Sequence, residues 1–291
     1  MQIWHAVILG LVEGVTEYLP VSSTGHLILA SSLMGLADDP ESKRAVDAFN
    51  IVIQGGAILA VLGLYRRRIG QMLRGLIGRD RAGLRLAINI LVAFLPAAVL
   101  GPFVNETIER ELFHPGPVLA ALALGGVVMI ALDRWRLSDR GDAPGASPAA
   151  GLTIDELTWR GALIIGVMQA VAMWPGTSRS MMTITGGVVV GLRPRDAAEF
   201  SFLLGLPTLG GACAFTLAKD FADNGTPDTL LSLGLASVIV GLVVATLSAA
   251  AAVKWLVAFL NRHGLEPFGW YRLALAAALG ALWLGGIVTF G

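Results

Sequence analysis

The chain has 291 residues and no net formal charge, and 55% of its residues are hydrophobic while only 14% are charged. Soluble domains carry about 25% charged residues, so the composition excludes an ordinary soluble domain, and the neutral net charge favours no nucleic-acid partner. The single cysteine, Cys213, excludes a disulfide framework and a thiolate metal cluster.

Long apolar runs recur along the chain. Each is close to the ~20 residues that a helix needs to cross a ~30 Å hydrocarbon core. The runs cover residues 51–65, 86–104, 118–132, 197–217, 230–253 and 273–290. We therefore expect an all-α integral membrane protein with six transmembrane helices.

Two further apolar segments, residues 4–35 and 159–191, are interrupted by the turn-forming sequences LPVSSTG and PGTSRS. Each predicts a re-entrant hairpin of two half-length helices, because non-helical backbone is tolerated at membrane depth where protein or a wet cavity covers it. Two ordinary kinked spans are the alternative. The N-terminal residues MQIWHAVILG lack a basic flank and a cleavage signature, so we expect them to belong to the mature fold.

The distribution of Lys and Arg predicts the topology. If both hairpins are re-entrant, 16 of the 21 basic residues fall on one side, in segments 66–85, 134–160, 193–195 and 254–272. That set includes Arg272. The opposite loops hold four, and Arg179 is left over. The positive-inside rule then places the basic loops in the cytoplasm and both termini on the outer face.

An internal repeat supports this topology. Gly10 aligns with Gly166 at an offset of 156 residues, Glu13 aligns with Gln169, and the triplet 22–24 aligns with 178–180. The chain then divides into a first repeat at 1–136, a linker at 137–158 and a second repeat at 159–291. Each repeat has one hairpin and three spans, and an odd number of spans predicts an inverted-topology repeat.

Two acids lie in the first apolar helix. Glu13 and Glu17 are four residues apart and therefore share a helix face, and ionisable groups within membranes are expensive and commonly functional. Solvation of both acids at the membrane interface is the alternative interpretation. The aligned residues of the second repeat, Gln169 and Met173, are uncharged.

Arg179 lies far from the basic loops, in an otherwise uncharged segment. An arginine at membrane depth costs about 2.5–3.5 kcal/mol, which a bound anion would offset. A guanidinium matches phosphate oxygens bidentately. The preceding turn, with Gly176 and Ser178, offers backbone N–H groups and hydroxyls at a helix start, an arrangement that favours anions. The alternative is an ion pair between Arg179 and Glu13 or Glu17.

Hydroxyls and an imidazole follow the first turn. Ser22, Ser23 and Thr24 could act as a helix N-cap, but capping needs only one of them. His26 lies one turn further on among hydroxyls and acids, and we expect a catalytic or phosphate-contacting role for it. The sequence has no GxxxxGK[ST], HExxH or Cys/His zinc spacing. A set of Glu, Ser/Thr, His and Arg without a nucleotide motif fits phosphate-ester or diphosphate cleavage with a carboxylate-bound divalent cation.

The segments EGVTEYLPVSSTGHL (13–27) and PGTSRSMMT (175–183) resemble the two signature motifs of the bacterial undecaprenyl-diphosphate phosphatases, the bacitracin-resistance protein family. The likeness continues through FNIVIQGGAILAV (49–61) and AAEFSFLLGLPTLGGA (197–212). The resemblance implies two re-entrant hairpins in inverted repeats and dephosphorylation of undecaprenyl diphosphate to the carrier lipid of cell-wall synthesis. It also implies a location in the bacterial inner membrane, an active site open to the periplasm, and a divalent cation, Mg²⁺ or Ca²⁺.

Carried over by motif, the resemblance also assigns roles to residues. The catalytic candidates are Glu13, Glu17, Ser22, Ser23, His26 and Arg179. The substrate-binding candidates are Gln54, Thr24, Gly176, Ser178, Ser180 and Thr183, and the metal-binding candidates are Glu13 and Glu17. Asn50 stands where the family usually has an acid, so a role of that acid in metal binding is in doubt in this chain.

The nucleophile is left open between Ser23, His26 and a metal-bound water. A polyprenyl-phosphate transporter is the rival function, because inverted repeats with midplane hairpins are also a transporter architecture. A lipid phosphatase of the phosphatidic-acid class is excluded, since it needs a histidine soon after its Ser-Arg element and none follows Arg179 before His263. The expected partners are the prenyl diphosphate and membrane lipids, without nucleotide or nucleic acid, and a homodimer is left open.

Overall fold

The computed structural model describes residues 1–36, 40–139, 151–224 and 234–288, and these segments are helical, with turns between the helices and one isolated bridge between Leu152 and Leu192. Half of the predicted linker, residues 140–150, lies outside the described residues. The helices, in chain order, are α1 (Ile3–Thr16), α2 (Ser23–Leu33), α3 (Pro40–Leu64), α4 (Arg66–Leu76), α5 (Arg81–Leu112), α6 (Pro115–Asp139), a 3₁₀ turn (Ile154–Glu156), α7 (Trp159–Val171), α8 (Arg179–Val189), α9 (Pro194–Asn224), α10 (Leu235–His263) and α11 (Glu266–Leu284).

Five helices in the described part of the chain are long and apolar enough to cross a membrane. Their apolar parts are Ala45–Leu64, Arg81–Val104, Pro115–Trp135, Pro194–Phe215 and Leu235–His263. The predicted class, an all-α integral membrane protein, is confirmed. The sixth predicted run, 273–290, differs: α11 starts earlier and ends at Leu284, and it includes Glu266 and Arg272. A membrane crossing by α11 stays a prediction.

Both predicted hairpins consist of two short helices that pack against each other, α1 with α2 and α7 with α8. The longest of the four, α1, has 14 residues. At ~1.5 Å per residue it extends about 21 Å, which is shorter than the ~30 Å hydrocarbon core. Non-helical turns separate the partners at residues 17–22 and 172–178. Half-length helices of this kind fit re-entrant hairpins better than kinked spans.

The two halves exchange their hairpins. Helix α1 packs on α10 of the second half, and α7 packs on α5 of the first. The long helices α3 and α9 also contact each other, as do α6 and α11. This crossed packing follows the order of the predicted repeat, and the division into two inverted repeats stays a prediction.

Small residues allow the hairpin helices to approach their partners. A Cβ atom at Gly10 would lie 2.7 Å from the carbonyl oxygen of Gly241, and one at Gly166 would lie 2.5 Å from that of Ala93. Helices in membranes approach this closely through small residues. The aligned glycines therefore occupy matching helix crossings in the two halves.

The basic residues after α3 form a short surface helix that sequence patterning did not separate. Helix α4 carries exposed Leu73 and Leu76 beside its arginines, which suits a helix lying at the membrane surface. Arg68 in this helix binds Glu199 of α9 at 2.8 Å and Asp155 at 3.0 Å. These ion pairs join the two halves at the basic end of the bundle.

Tyr18, in the first turn, belongs to the buried hydrophobic core. Tyr18, which is fully buried, packs edge-on against Phe202 with ring centroids 5.3 Å apart. Its hydroxyl donates to the carbonyl of Ala57 at 2.9 Å. The first turn is therefore anchored on α3 and α9.

Candidate active site

The two turns have the same unusual backbone. Ser22 and Ser178 both have φ of 74°, a left-handed conformation that is uncommon for residues other than glycine. Each hydroxyl oxygen accepts a hydrogen bond from a backbone N–H three residues on, that of Gly25 at 3.5 Å and that of Met181 at 3.3 Å. The capping interpretation therefore holds for these two serines, and the strain fits a functional turn.

A chain of polar contacts joins the two turns. The Arg179 Nη2 atom donates to Glu17 Oε1 at 3.2 Å, and the Ser23 hydroxyl donates to Glu17 Oε2 at 2.9 Å. The side chain of Glu17 is 6% exposed and that of Arg179 is 11% exposed. The ion-pair interpretation of Arg179 is therefore confirmed, with Glu17 as its partner, and phosphate binding by Arg179 stays a prediction.

One N–H group of the Arg179 guanidinium has no hydrogen-bond partner among the described residues. Its Nη1 atom donates to the carbonyl of Ser201 at 3.1 Å, and its Cζ lies 5.7 Å from the centroid of the Tyr18 ring. Its Nε atom is buried without a partner among the described residues. A buried donor that lacks a partner commonly marks a place for a ligand, and here it would suit an anion.

Two adjoining cavities surround this chain of contacts. The first, which we call the turn cavity, has a volume of about 230 Å³ and is lined by Glu17, Ser22, Ser23, Thr24, Gln54, Gly176, Ser178 and Arg179 among others. The second, the α3 cavity, has about 240 Å³ and is lined by Glu13, Ser23, Thr24, Asn50 and Gln54 among others. Because Ser23, Thr24 and Gln54 line both, the two cavities adjoin each other at these polar side chains.

The α3 cavity holds oxygen atoms suited to a hard cation. Glu13 Oε1 and Asn50 Oδ1 are buried and have no hydrogen-bond partner in the described structure. Among the described residues, no three His, Cys, Asp or Glu side chains lie close enough together to hold a metal ion by themselves. Mg²⁺ is usually held by one or two carboxylates together with substrate phosphates. Glu13 and the amide oxygen of Asn50 in this cavity, with Glu17 in the adjoining turn cavity, fit that mode.

His26 lines neither the turn cavity nor the α3 cavity. Its Nδ1 lies 2.7 Å from the carbonyl oxygen of Ser22, and because a carbonyl only accepts, Nδ1 carries the proton. Its Nε2 therefore accepts from the Tyr271 hydroxyl at 2.7 Å. His26 lines a third cavity of about 560 Å³ with Trp255 and Phe259, which we call the α10 cavity. The structure does not bring His26 to Glu17 and Arg179, and its catalytic role stays a prediction.

Two other predicted residues lie behind Arg179. The Ser180 hydroxyl donates to the carbonyl of Leu19 at 2.8 Å. The Thr183 hydroxyl is fully buried, 2.6 Å from that of Ser201, and bonds the carbonyl of Arg179. These contacts hold α8 against the first turn and α9. A direct substrate contact of Ser180 and Thr183 stays a prediction.

Arg272 is the residue that sequence reasoning misplaced. It was counted with the cytoplasmic loops, but its side chain is fully buried in α11. It donates to the carbonyls of Gly176 at 2.9 Å and Pro20 at 3.5 Å, one in each turn, and to two carbonyls of α6. Arg272 is the seventh residue of α11 and directly precedes an apolar run, and this position could have indicated a buried arginine. Arg272 holds both turns at one place.

Fold and site together define an all-α integral membrane protein with a buried polar centre, formed by Glu17, Ser23 and Arg179, between two helical hairpins. A family model agrees with that class over nearly the whole chain. The chain belongs to the family described as bacitracin resistance protein BacA, whose model matches residues 6–278.

Curated relatives carry enzyme names. A protein of Sorangium cellulosum named undecaprenyl-diphosphatase is 45% identical over 97% of this chain and 86% of its own length. The undecaprenyl-diphosphatase 2 of Rhodospirillum rubrum is 44% identical over 98% of this chain and 96% of its own. The undecaprenyl-diphosphatase of Bordetella petrii is 39% identical over 96% of both.

Proposed function

We propose that this protein is a membrane phosphatase that hydrolyses undecaprenyl diphosphate to undecaprenyl phosphate and inorganic phosphate. It thereby recycles the carrier lipid for peptidoglycan synthesis and confers bacitracin resistance. Family membership and the relatives' names support the reaction. The observation that carries it is the contact chain from Ser23 through Glu17 to Arg179, which places a nucleophile, a base and an anion-binding group in one buried polar cavity.

Arg179 binds the terminal phosphate. Its Nε–H and the N–H groups not directed at Glu17 and Ser201 form the fork that matches two phosphate oxygens. Because the side chains of Arg179 and Glu17 are largely buried, these donors stabilise the negative charge that develops on the phosphoryl group more strongly than they would in solvent.

Ser23 is the nucleophile in this proposal. Its oxygen forms a bond to the terminal phosphorus while its proton passes to Glu17 Oε2, and the bond from phosphorus to the bridging oxygen breaks. Undecaprenyl phosphate leaves and takes the proton from Glu17. A water then attacks the phosphoserine and gives its proton to Glu17, which returns it to Ser23 as inorganic phosphate leaves.

A divalent cation fits beside this pair. Glu13 and Asn50 would hold it at the α3 cavity, where Glu13 Oε1 and Asn50 Oδ1 have no other partner among the described residues, and Glu17 lines the adjoining turn cavity. When bound, the cation supplies positive charge that neutralises the diphosphate oxygens. Arg179 and Glu17 perform the positioning and proton transfer described above.

The cavity opens toward the outer face of the inner membrane in this proposal. Asn50 and Gln54, which line it, precede the C-terminal end of α3, and Arg66–Arg68 follow that end. Since basic residues mark the cytoplasmic side, the cavity lies nearer the periplasm.

A reporter fused to the C-terminus tests the orientation. We expect an enzyme that is active only in the periplasm to be active in this fusion, because an inverted repeat with re-entrant hairpins places both termini outside. The same fusion with a reporter active only in the cytoplasm is the control, and activity of that second reporter would refute the orientation.

The function is tested on purified protein in detergent with a prenyl diphosphate and Mg²⁺, by measuring released phosphate. Release that disappears in Glu17→Gln supports the phosphatase. A transporter alone would bind the lipid without releasing phosphate, and the relatives' names do not favour it.

Ser23→Ala should slow phosphate release more than Ser22→Ala. Ser23 is the hydroxyl that donates to Glu17, whereas Ser22 caps α2. A residual rate should remain in Ser23→Ala, because a water next to Glu17 can replace the lost hydroxyl. Acid quenching with labelled substrate should trap phosphoserine at Ser23. Phosphohistidine at His26, or equal rates for the two variants, would contradict the assignment.

A further inference from the structure

An apolar cleft of about 410 Å³ lies between α5 and α9. Small residues face each other across it, Ala98 and Gly101 from α5 and Gly211 from α9, and Phe94 and Phe215 flank them. Facing small residues leave room for a chain-like ligand in a membrane protein, because packing there depends on shape rather than on hydrophobicity. We call this groove the α5–α9 cleft.

The polar group in the cleft is already engaged within the protein. Thr208 lines it, and its hydroxyl donates to the carbonyl of Leu204 at 2.8 Å and lies 3.3 Å from Gln169 Oε1. The cleft therefore presents an apolar surface, which suits a hydrocarbon and not a headgroup.

The α5–α9 cleft adjoins the turn cavity. Met173, in the second turn, lines both, and Leu209 of the turn cavity follows Thr208 of the cleft directly. An amphiphile whose phosphate lies at Arg179 would therefore have an apolar path beginning beside it. We propose that the α5–α9 cleft binds the isoprene units nearest the diphosphate of the substrate. This inference rests on the proposed function and assigns the place of the lipid chain.

The cleft lies in the part of the helices remote from the basic loops, which agrees with the prenyl chain as its occupant. Helix α5 begins at Arg81, and α9 begins at Pro194, between Arg193 and Arg195. The cleft is lined by residues 94–102 and 208–215, further along each helix. Phe215 at its edge is exposed. The chain would leave the protein in the half of the bilayer remote from the basic loops, on the same side as the polar cavities.

A larger apolar space is the rival site. The α10 cavity has about 560 Å³, but among the described residues it shares no lining side chain with the turn cavity. Trp255 and Phe259 lie in the last turns of α10, which end with Arg262 and His263. Continuity with Arg179, and not volume, therefore selects the α5–α9 cleft.

Gly101→Leu tests the assignment. A Cβ at Gly101 meets no atom within 4 Å, so the leucine side chain can enter the cleft without moving the backbone. We expect the KM for farnesyl diphosphate to rise by about tenfold or more, since displacing about two methylene groups from an apolar site has that effect. The inhibition constant of inorganic phosphate, which reports the headgroup site, should not change.

Gly63→Leu is the matched control. Gly63 is, like Gly101, helical and free of atoms within 4 Å of a Cβ, and it is exposed, but it does not line any of the cavities named above. Its KM should equal that of the wild type. An unchanged KM in Gly101→Leu, or a KM and a phosphate inhibition constant that rise together, would overturn the proposal.

Photocrosslinking of the unmodified protein gives an independent answer. The probe is a farnesyl methylenebisphosphonate, which is not hydrolysed, with a benzophenone on its prenyl chain. Label in the segments 94–102 and 208–215 supports the cleft, and label around Trp255 and Phe259 overturns it. Absence of phosphate release by the wild type, whatever the label shows, would reject the proposed function separately.

Discussion

Glu17→Gln is expected to slow phosphate release by roughly 10³-fold, within the range for loss of a general base, while the protein keeps its fold. The carboxylate accepts two hydrogen bonds, from Arg179 and from Ser23. A glutamine has one acceptor oxygen, and Arg179 can only donate, so the amide NH₂ would face Ser23 and donate to it. The serine then has no group to take its proton. Turnover at saturating substrate and thermal unfolding are the measurements.

Glu13→Gln is the control for this result. Glu13 is equally buried, but its aligned residue in the second repeat is Gln169, which is also buried. The protein therefore already accommodates a buried glutamine at the equivalent place in the second repeat, and we expect Glu13→Gln to fold normally. We expect a smaller loss of activity and a shift of the Mg²⁺ dependence to higher concentration. Near wild-type turnover of Glu17→Gln across the whole Mg²⁺ titration would show that Glu17 is structural.

Arg179→Lys is expected to lower turnover by about 10²- to 10³-fold, the range for loss of one donor to a developing anion, without a large loss of stability. A lysine keeps the charge beside Glu17 but cannot bind two phosphate oxygens at once. Arg179→Ala should also lower stability, by about 3 kcal/mol, because it leaves Glu17 buried without its cation. An active Arg179→Lys would assign phosphate binding to another group.

Arg272→Met is the variant with which Arg179→Lys is compared. Arg272 contacts backbone carbonyls of both turns, so an apolar side chain of similar length leaves these oxygens without a donor, at about 1–3 kcal/mol each. We expect a large fall in the unfolding temperature for Arg272→Met and a small one for Arg179→Lys. Measuring thermal unfolding and phosphate release on both variants separates a residue that holds the turns from one that binds phosphate.

Local patterns predicted much of this molecule. Hydrophobic run length identified five helices that are long and apolar enough to cross a membrane, since the hydrocarbon core has one thickness. Interrupting Pro, Gly and Ser residues identified the two helical hairpins. The four-residue spacing of Glu13 and Glu17, and the isolation of Arg179, identified the centre of the site. Each of these signals depends on residues close together in the chain.

The partners of these residues depended on the tertiary structure. His26 is four residues from Ser22, yet its ring turns toward Tyr271 in α11, because α2 presents opposite faces to two cavities. Arg272 lies 96 residues beyond Gly176, and no periodicity relates the two.

The sequence by itself therefore determined the class of protein, the two hairpins and the acid, hydroxyl and guanidinium groups of the site, because run length, turn residues and isolated charges are local properties. Only the tertiary structure decided that Glu17 joins Ser23 to Arg179, that Arg272 binds both turns, and that Met173 connects the turn cavity to an apolar cleft. The physical reason is that these contacts form where the two halves exchange their hairpins, and such packing brings together residues that no spacing in the sequence relates.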